Sequence, residues 1–371
     1  MTACRRFHRL LRAANRSILS VSVLLVLIAW HRGSWGQDLP VIPPTGRHVP
    51  QLARYLDRVE IYGSVAFRQL AVFPVRVRDN AELPGNWLTM DQALTRGVLN
   101  VSEKGTQGAV PQVNAHNRSP SEYVFILAGE LLAGGKQARM VRQDTALAPG
   151  QTAELSVFCV EAHRWEGTTD FWAANTLAPA SLQQELRRGA EQQRVWKEVA
   201  WNNALLGAQN RTDSLAAALN ADVVRGQLVE IRERLLPQIP ADTVGIIVVD
   251  GERALGAEFF GRSGLAMAFL PKLLDAYAVD VLLKRSAAYR PDSARQQEAA
   301  TEFLRRVQRA SSYDGVTRGS GTGLRTRTGG LLGDDVRIED AMVHYGIQIE
   351  DRITPLPPTP QASKIRPQDR E

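Results

Sequence analysis

The sequence predicts an α+β fold, with an antiparallel β-sandwich or barrel-like N-terminal half and a C-terminal half of helices around a β-hairpin. Three observations carry this. Short β-branched runs broken by Gly, Pro and Asx turn signals fill the chain up to about residue 170. Beyond that point apolar residues recur at helical spacing. Between two such helices, Val244–Val249 and Arg253–Phe260 flank Asp250-Gly251, a favoured hairpin turn.

In chain order, residues 1–36 read as an export signal. Arg5, Arg6, Arg9, Arg12 and Arg16 form a positive segment, and Ile18–Trp30 is apolar and uncharged. These 13 residues fall short of the ~18 a spanning helix needs. Ser34-Trp35-Gly36 supports cleavage before Gln37. The expected mature protein is exported, periplasmic or extracellular, with no stable membrane span. Residues 1–36 hold six arginines and no acidic residue, which accounts for the whole net charge of +6. The remainder is neutral overall and has no basic run with interleaved aromatics, so a nucleic-acid partner is not expected. Removing Cys4 with the leader leaves Cys159 alone, so a packed core rather than a disulfide must hold the fold.

Residues 37–58 read as a proline-rich linker and residues 351–371 as a disordered tail. Residues 59–350 form one composite domain, β-rich over 59–170 and helical over 171–350. Strands are expected at Val59–Val65, Leu70–Val77, Tyr123–Ala128 and Thr152–Val160. Thr89 caps a short helix over Met90–Arg96. A capping box at Ser181 and Gln184 starts a helix running through Val199. Val224, Leu228, Ile231 and Leu235 stripe the next helix, which Pro237 stops. Leu265–Leu283 is helical, with Pro271 a kink or a late start, and Ala300, Phe303, Leu304 and Val307 stripe a helix begun at Asp292-Ser293. A glycine-rich loop, Gly315–Gly333, precedes strands at Val336–Ile338 and Ala341–Ile349.

No HExxH, GxSxG or Walker A motif is present, and Gly319–Gly323 lacks the strand and helix that would make it a phosphate loop. His48, His116, His163 and His344 have no metal-ligand spacing and read as structural or surface residues. Neither a metal nor a cofactor is expected.

Two stretches carry the candidate site. Gly129-Glu130-Leu131-Leu132-Ala133-Gly134-Gly135-Lys136-Gln137-Ala138-Arg139 combines glycine-lined backbone with two cations, a combination suited to a phosphate or carboxylate. The alternative is that Glu130 pairs with Lys136 or Arg139 to fix a tight loop. In Cys159-Val160-Glu161-Ala162-His163-Arg164-Trp165, a thiol–imidazole pair needs the chain to turn, because i and i+4 stand ~13 Å apart on a strand. Cys159 lies on the apolar face, which favours an inert buried thiol. Glu130 and Glu161 are candidate catalytic acids or bases if their strands adjoin.

Together these stretches resemble the hallmark region of a bacterial family, the ADP-ribosylglycohydrolase- and rhodanese/phosphatase-associated domain. Its pattern, G-E-E-L-x-G-x-K-Q-N-R followed by S-C-V-E-x-G-R-W, is matched by Gly129, Glu130, Gly134, Lys136, Gln137, Arg139, Cys159, Glu161, Arg164 and Trp165. The resemblance runs on through Gln193–Val199, the Val244–Gly261 hairpin and Leu273–Leu283, over about residues 59–310 and towards 350. It implies a role near ADP-ribose or nucleotide metabolism. Leu131 or Leu132 replaces the pattern's second Glu, Ala138 its Asn and His163 its Gly, which weakens the expectation of an active enzyme. The preferred expectation is therefore an envelope module that binds a small anionic or nucleotide-like ligand, or an envelope protein partner, through Gly129–Arg139. A hydrolase or transferase on such a ligand and a purely structural protein are the alternatives.

Overall fold

The protein is built around a nine-stranded antiparallel sheet that draws on both halves of the chain. The computed structural model describes residues 50–350 apart from 79–82, 106–107, 109–110, 285–291, 315–318 and 340. The expected leader, its cleavage site and the C-terminal tail lie outside the described residues.

The first half contains α1 (Pro50–Leu56), β1 (Val59–Ile61), β2 (Val65–Phe67), β3 (Leu70–Val77), β4 (Asn86–Thr89), α2 (Met90–Thr95), β5 (Leu99–Glu103), β6 (Gln112–Asn117) and β7 (Glu122–Ile126). It continues through β8 (Glu130–Gly134), β9 (Arg139–Val141), β10 (Thr145–Leu147), β11 (Thr152–Cys159) and β12 (Phe171–Leu177). The second half runs through α3 (Ala180–Arg188), α4 (Gln192–Leu205), α5 (Leu215–Leu219), α6 (Asp222–Leu235), β13 (Gly245–Asp250), β14 (Arg253–Phe260), α7 (Ser263–Lys284) and α8 (Ser293–Gln308). It closes with β15 (Ser312–Asp314), β16 (Leu324–Thr328), β17 (Leu331–Ile338) and β18 (Ala341–Ile349).

The large sheet is ordered β1-β3-β13-β14-β18-β17-β16-β15, with β2 also on β3. Its central strands are buried on both faces. Val72, Ile246, Val248 and Val343 pack on one side with α7, while Phe73, Ile247, Val249 and Ile347 pack on the other with α1 and α8. Double burial is why these strands read as continuous apolar runs rather than alternating ones. The β-rich half supplies two smaller sheets, β10-β7-β4 and β12-β8-β9-β11-β6-β5. Val101, Val113, Val124, Ile126, Leu132, Val141 and Leu155 fill the core between them, a sandwich-like arrangement. The α+β class holds, and so does the β-rich first half.

Several local expectations change. Residues 50–56 are helix rather than linker, with Leu52, Tyr55 and Leu56 buried. The expected Val59–Val65 strand is two short strands, and the hairpin turn is Gly251-Glu252, because Asp250 pairs with Arg253. The helix expected to run from Ser181 through Val199 is two helices, divided by Gly189 in the left-handed conformation (φ 81°). Ser181 makes no capping box: its N–H and hydroxyl donate to Asp280 at 2.7 and 2.6 Å, so a carboxylate of α7 serves the start of α3. The glycine-rich stretch before Gly333 contains β16, which enters the large sheet. The Thr89–Gln92 capping box forms as expected, and Val224, Leu228, Ile231 and Leu235 are the buried stripe of α6. No helix among the described residues is long and apolar enough to cross a membrane.

Candidate functional site

Six of the sequence-picked residues meet in one buried network at the tip of the β8–β9 hairpin. Arg139, fully buried, donates to Gln137 Oε1 (3.1 Å) and Cys159 Sγ (2.8 Å), and its guanidinium approaches Glu103 at 3.4 Å. The Cys159 thiol donates to Gln137 Oε1 at 3.0 Å. Gln137 Nε2 in turn donates to the Glu161 carbonyl (2.8 Å). Glu161 accepts from the Ala138 N–H at 2.9 Å and from Arg164 at 2.7 Å. Burial works against the charged Glu161, but these donors outweigh it and hold the carboxyl below its ordinary range. Trp165 covers the Arg139 guanidinium, 5.7 Å from ring centre.

The hairpin tip is packed shut. A Cβ on Gly134 would stand 2.4 Å from the Trp172 ring, and one on Gly135 2.2 Å from the Phe171 ring. Lys136 is half-buried, with its backbone N–H on Glu103 Oε1 at 2.9 Å. Arg139 and Arg164 face carboxylates of the protein itself, so the hairpin has the construction of a locked pedestal rather than an open anion cradle.

The thiol–imidazole pair does not form. His163 is exposed and faces Asp213 at 3.1 Å, whereas Cys159 points at Arg139 and Gln137. Burial pushes the Cys159 thiol up, with Arg139 opposing. Alkylation of the mature protein by iodoacetamide should therefore leave Cys159 unmodified when native and label it in denaturant; rapid native labelling would contradict this burial.

Glu130 and Glu161 do not form an acid/base pair either. Glu130 starts β8, whereas Glu161 is bonded beside the hairpin tip, about 10 Å of strand away. Glu130 pairs with neither Lys136 nor Arg139. Its carboxylate accepts from the Leu127 N–H (2.8 Å) and from Lys272 of α7, which also donates to Asp91 of α2. One ammonium between two buried carboxylates leaves an excess negative charge. Burial pushes Glu130 up to about 7, with Lys272 opposing and Asp91 reinforcing. Gly129 forms the preceding turn at φ 90°, where a Cβ would stand 2.9 Å from Gln183.

A second buried cluster lies across the Phe125, Phe260 and Phe269 rings. His344 of β18 bridges Asp144 Oδ2 through Nδ1 (2.8 Å) and Glu258 Oε2 through Nε2 (3.0 Å). Ala128 N–H donates to Asp144 at 2.7 Å, and the Tyr277 hydroxyl donates to Glu258 Oε1 at 3.0 Å. Burial disfavours the imidazolium, but the two carboxylates prevail and raise His344 to about 9.

Tyr277 leads to the one roomy cavity described, about 250 Å³, between α3, α4, α7 and the large sheet. Its polar wall comprises Ser181, Gln184, Glu198, Asn202, Asp280 and Gln348; Trp201 and Leu255 supply apolar surface, and exposed Arg253 stands at its mouth. Asn202 and Gln348 are each 2 % exposed, and neither Asn202 Nδ2 nor Gln348 Oε1 has a hydrogen-bond partner. Leaving such groups unpaired costs about 1–3 kcal/mol each, an expense typical of binding sites rather than cores. Glu198 is held by Arg194 at 2.6 Å, and burial raises its pKa against that ion pair.

With this geometry in hand, the family model for the ARG and Rhodanese-Phosphatase-superfamily-associated Protein domain, ARPP-1, matches residues 58–347. The chain belongs to the ARPP-1 family. No curated protein and no solved structure matches it.

For this ARPP-1 domain, the sequence picked the residues of the hairpin network but not the cavity or the two buried charge clusters. A signal was present. Lys272, Asp275 and Asp280 are charges inside a long apolar helix, and His344 and Glu258 sit in otherwise apolar strands. Charges at such positions are retained only with partners or a site. No group of three or more His, Cys, Asp or Glu suited to a metal occurs among the described residues.

Proposed function

We propose that this ARPP-1 chain is an exported binding module for a small hydroxyl-rich ligand, held in the cavity walled by Glu198, Asn202, Asp280 and Gln348 rather than by the Gly129–Arg139 hairpin. The observation that carries the reading is the pair of buried amides with unpaired polar atoms on the wall of a roomy, polar cavity. Carboxylates accept sugar hydroxyls as the acidic residue of a dinucleotide site accepts a ribose hydroxyl. The Trp201 indole offers an apolar face to a ring.

Size and charge narrow the ligand. At ~30 Å³ per water, the cavity holds about eight waters, enough for one sugar ring but not a dinucleotide. Two carboxylates inside against one arginine at the mouth disfavour a phosphate within. A nucleotide-like ligand would insert its ribose and leave its phosphates beside Arg253. Export, expected from residues 1–36, makes an envelope sugar or nucleoside the natural source.

The test is a thermal-shift titration of residues 37–371 with ribose, glucose, ADP-ribose, NAD and inorganic phosphate. Saturation by a sugar-bearing ligand at ~100 times its Kd should stabilise by about 2.7 kcal/mol, roughly 5 °C in Tm. Phosphate alone should give no rise, and Trp201→Ala should abolish the response. A rise that survives Trp201→Ala but disappears in Lys136→Ala would return the site to the hairpin. No rise with any sugar-bearing ligand would refute the reading.

A further inference from the structure

We propose that the cavity hydrolyses the glycosidic bond of a small glycoside, with Glu198 as general acid and Asp280 as general base. The proposal rests on the reading of the cavity as a sugar site and adds turnover to it. Two carboxyl groups from different helices, Glu198 on α4 and Asp280 on α7, face one cavity beside the unpartnered amides of Asn202 and Gln348. Glycoside hydrolysis requires such a pair, one carboxyl protonated and the other ionised.

Their surroundings differ in the sense that this division of labour needs. Asp280 is anchored by two donors from Ser181, its N–H at 2.7 Å and its hydroxyl at 2.6 Å, which favours the carboxylate and fixes its direction. Glu198 is largely buried. Burial and the charges of Glu185 and Asp280 favour its protonated form, while Arg194 and Arg188 oppose. Tyr277 and Arg253 complete the titratable groups of the wall.

In the step, the Glu198 carboxyl gives its proton to the glycosidic oxygen as the bond from that oxygen to the anomeric carbon breaks. A water molecule attacks the anomeric carbon and passes a proton to Asp280. The products are the free sugar and the released alcohol, and a proton returns from Asp280 to Glu198 through solvent. The reaction consumes one water and needs no other co-reactant. The unpaired amides are placed to hold hydroxyls of the sugar ring.

The experiment uses residues 37–371 with nitrophenyl glycosides of ribose, glucose, galactose and N-acetylglucosamine, alongside Tm titrations with the free sugars. The expected result is nitrophenol release from at least one glycoside. Glu198→Gln should slow it about 100-fold or more while the free sugar still raises Tm. Activity should fall as pH rises, because Glu198 must hold its proton. Asp280→Asn should also lose turnover; because it disturbs the start of α3, its melting curve is recorded with it. Binding of a free sugar without release from its glycoside overturns the hydrolysis and leaves the binding module standing. Release at the wild-type rate by Glu198→Gln also overturns it. If no free sugar binds, the cavity reading falls and the hydrolysis with it.

Discussion

Lys272→Met should unfold this protein about 6–10 °C below wild type, the largest effect of any single substitution considered. The ammonium stands between Asp91 and Glu130 and against the Phe269 ring, 5.0 Å from its centre. Removing it leaves two carboxylates facing each other with no cation. Breaking a buried pair from one side costs about 3–5 kcal/mol, and in a chain of this size each kcal/mol moves Tm by roughly 2 °C. Met preserves most of the volume, so the loss reports charge rather than a cavity. Adding Asp91→Asn and Glu130→Gln to Lys272→Met should restore much of the Tm. A Lys272→Met protein that melts within 1–2 °C of wild type at pH 7 would show that Glu130 and Asp91 are not held as ions by Lys272. The result matters for the fold as a whole, because Asp91 and Glu130 come from the β-rich half and Lys272 from the helical half.

The second large effect is alkaline loss of stability through His344. Its pKa is raised from the ordinary 6.5 to about 9 by Asp144 and Glu258, against the desolvation of its burial. A group raised on folding binds its proton more tightly in the folded state. Its contribution is therefore complete below the unfolded pKa of ~6.5 and is lost as pH climbs through about 9. The full swing is on the order of 3 kcal/mol, from ~1.4 kcal/mol per pH unit of displacement. Denaturant unfolding at intervals from pH 6 to 9.5 should show a decline that His344→Gln largely removes, on a lower baseline because Asp144 and Glu258 lose their shared cation. The same decline in His344→Gln would assign it to other groups. Glu130, raised to about 7, acts in the same sense over a lower window: burial favours its protonated form, and that advantage fades as pH rises from about 4.5 through 7.

How far the fold was legible depended on the range of the interactions that set it. β3, β11, α6 and α8 follow their apolar periods closely, because each is decided by which face it buries. The pairing of β3 with β13 joins residues about 170 apart in the chain, such as Val72 with Val248, and no local pattern encodes it. The sequence therefore presented the second half as helices with one hairpin, when that hairpin is the centre of the large sheet. Ser181 shows the same limit on a smaller scale: its spacing to Gln184 fits a capping box, but Asp280, 99 residues away, takes its place.

The candidate site divides similarly. Gln137, Arg139, Cys159, Glu161, Arg164 and Trp165 were picked as two stretches and meet in one network, because β9 and β11 are adjacent strands, with Cys159 opposite Arg139. Glycines and cations in a turn do not reveal whether the cations face solvent, and Arg139 faces Glu103 in the core. The cavity escaped the sequence because its walls come from α3, α4, α7, β14 and β18, with single residues from each and no motif. Asn202 and Glu198 lie in a helix with little amphipathic contrast, so nothing in its periodicity marks one face as a wall.

The most direct test of the ligand cavity is a crystal structure of residues 37–371 soaked with whichever sugar-bearing compound gives the largest thermal shift. The ring should lie in the cavity against Trp201, with hydroxyls on Asn202 Nδ2 and Gln348 Oε1, the two atoms that lack partners in the empty protein. A ligand seated instead at Lys136 and Arg164, with the cavity holding only solvent and both amides still unpaired, would contradict it.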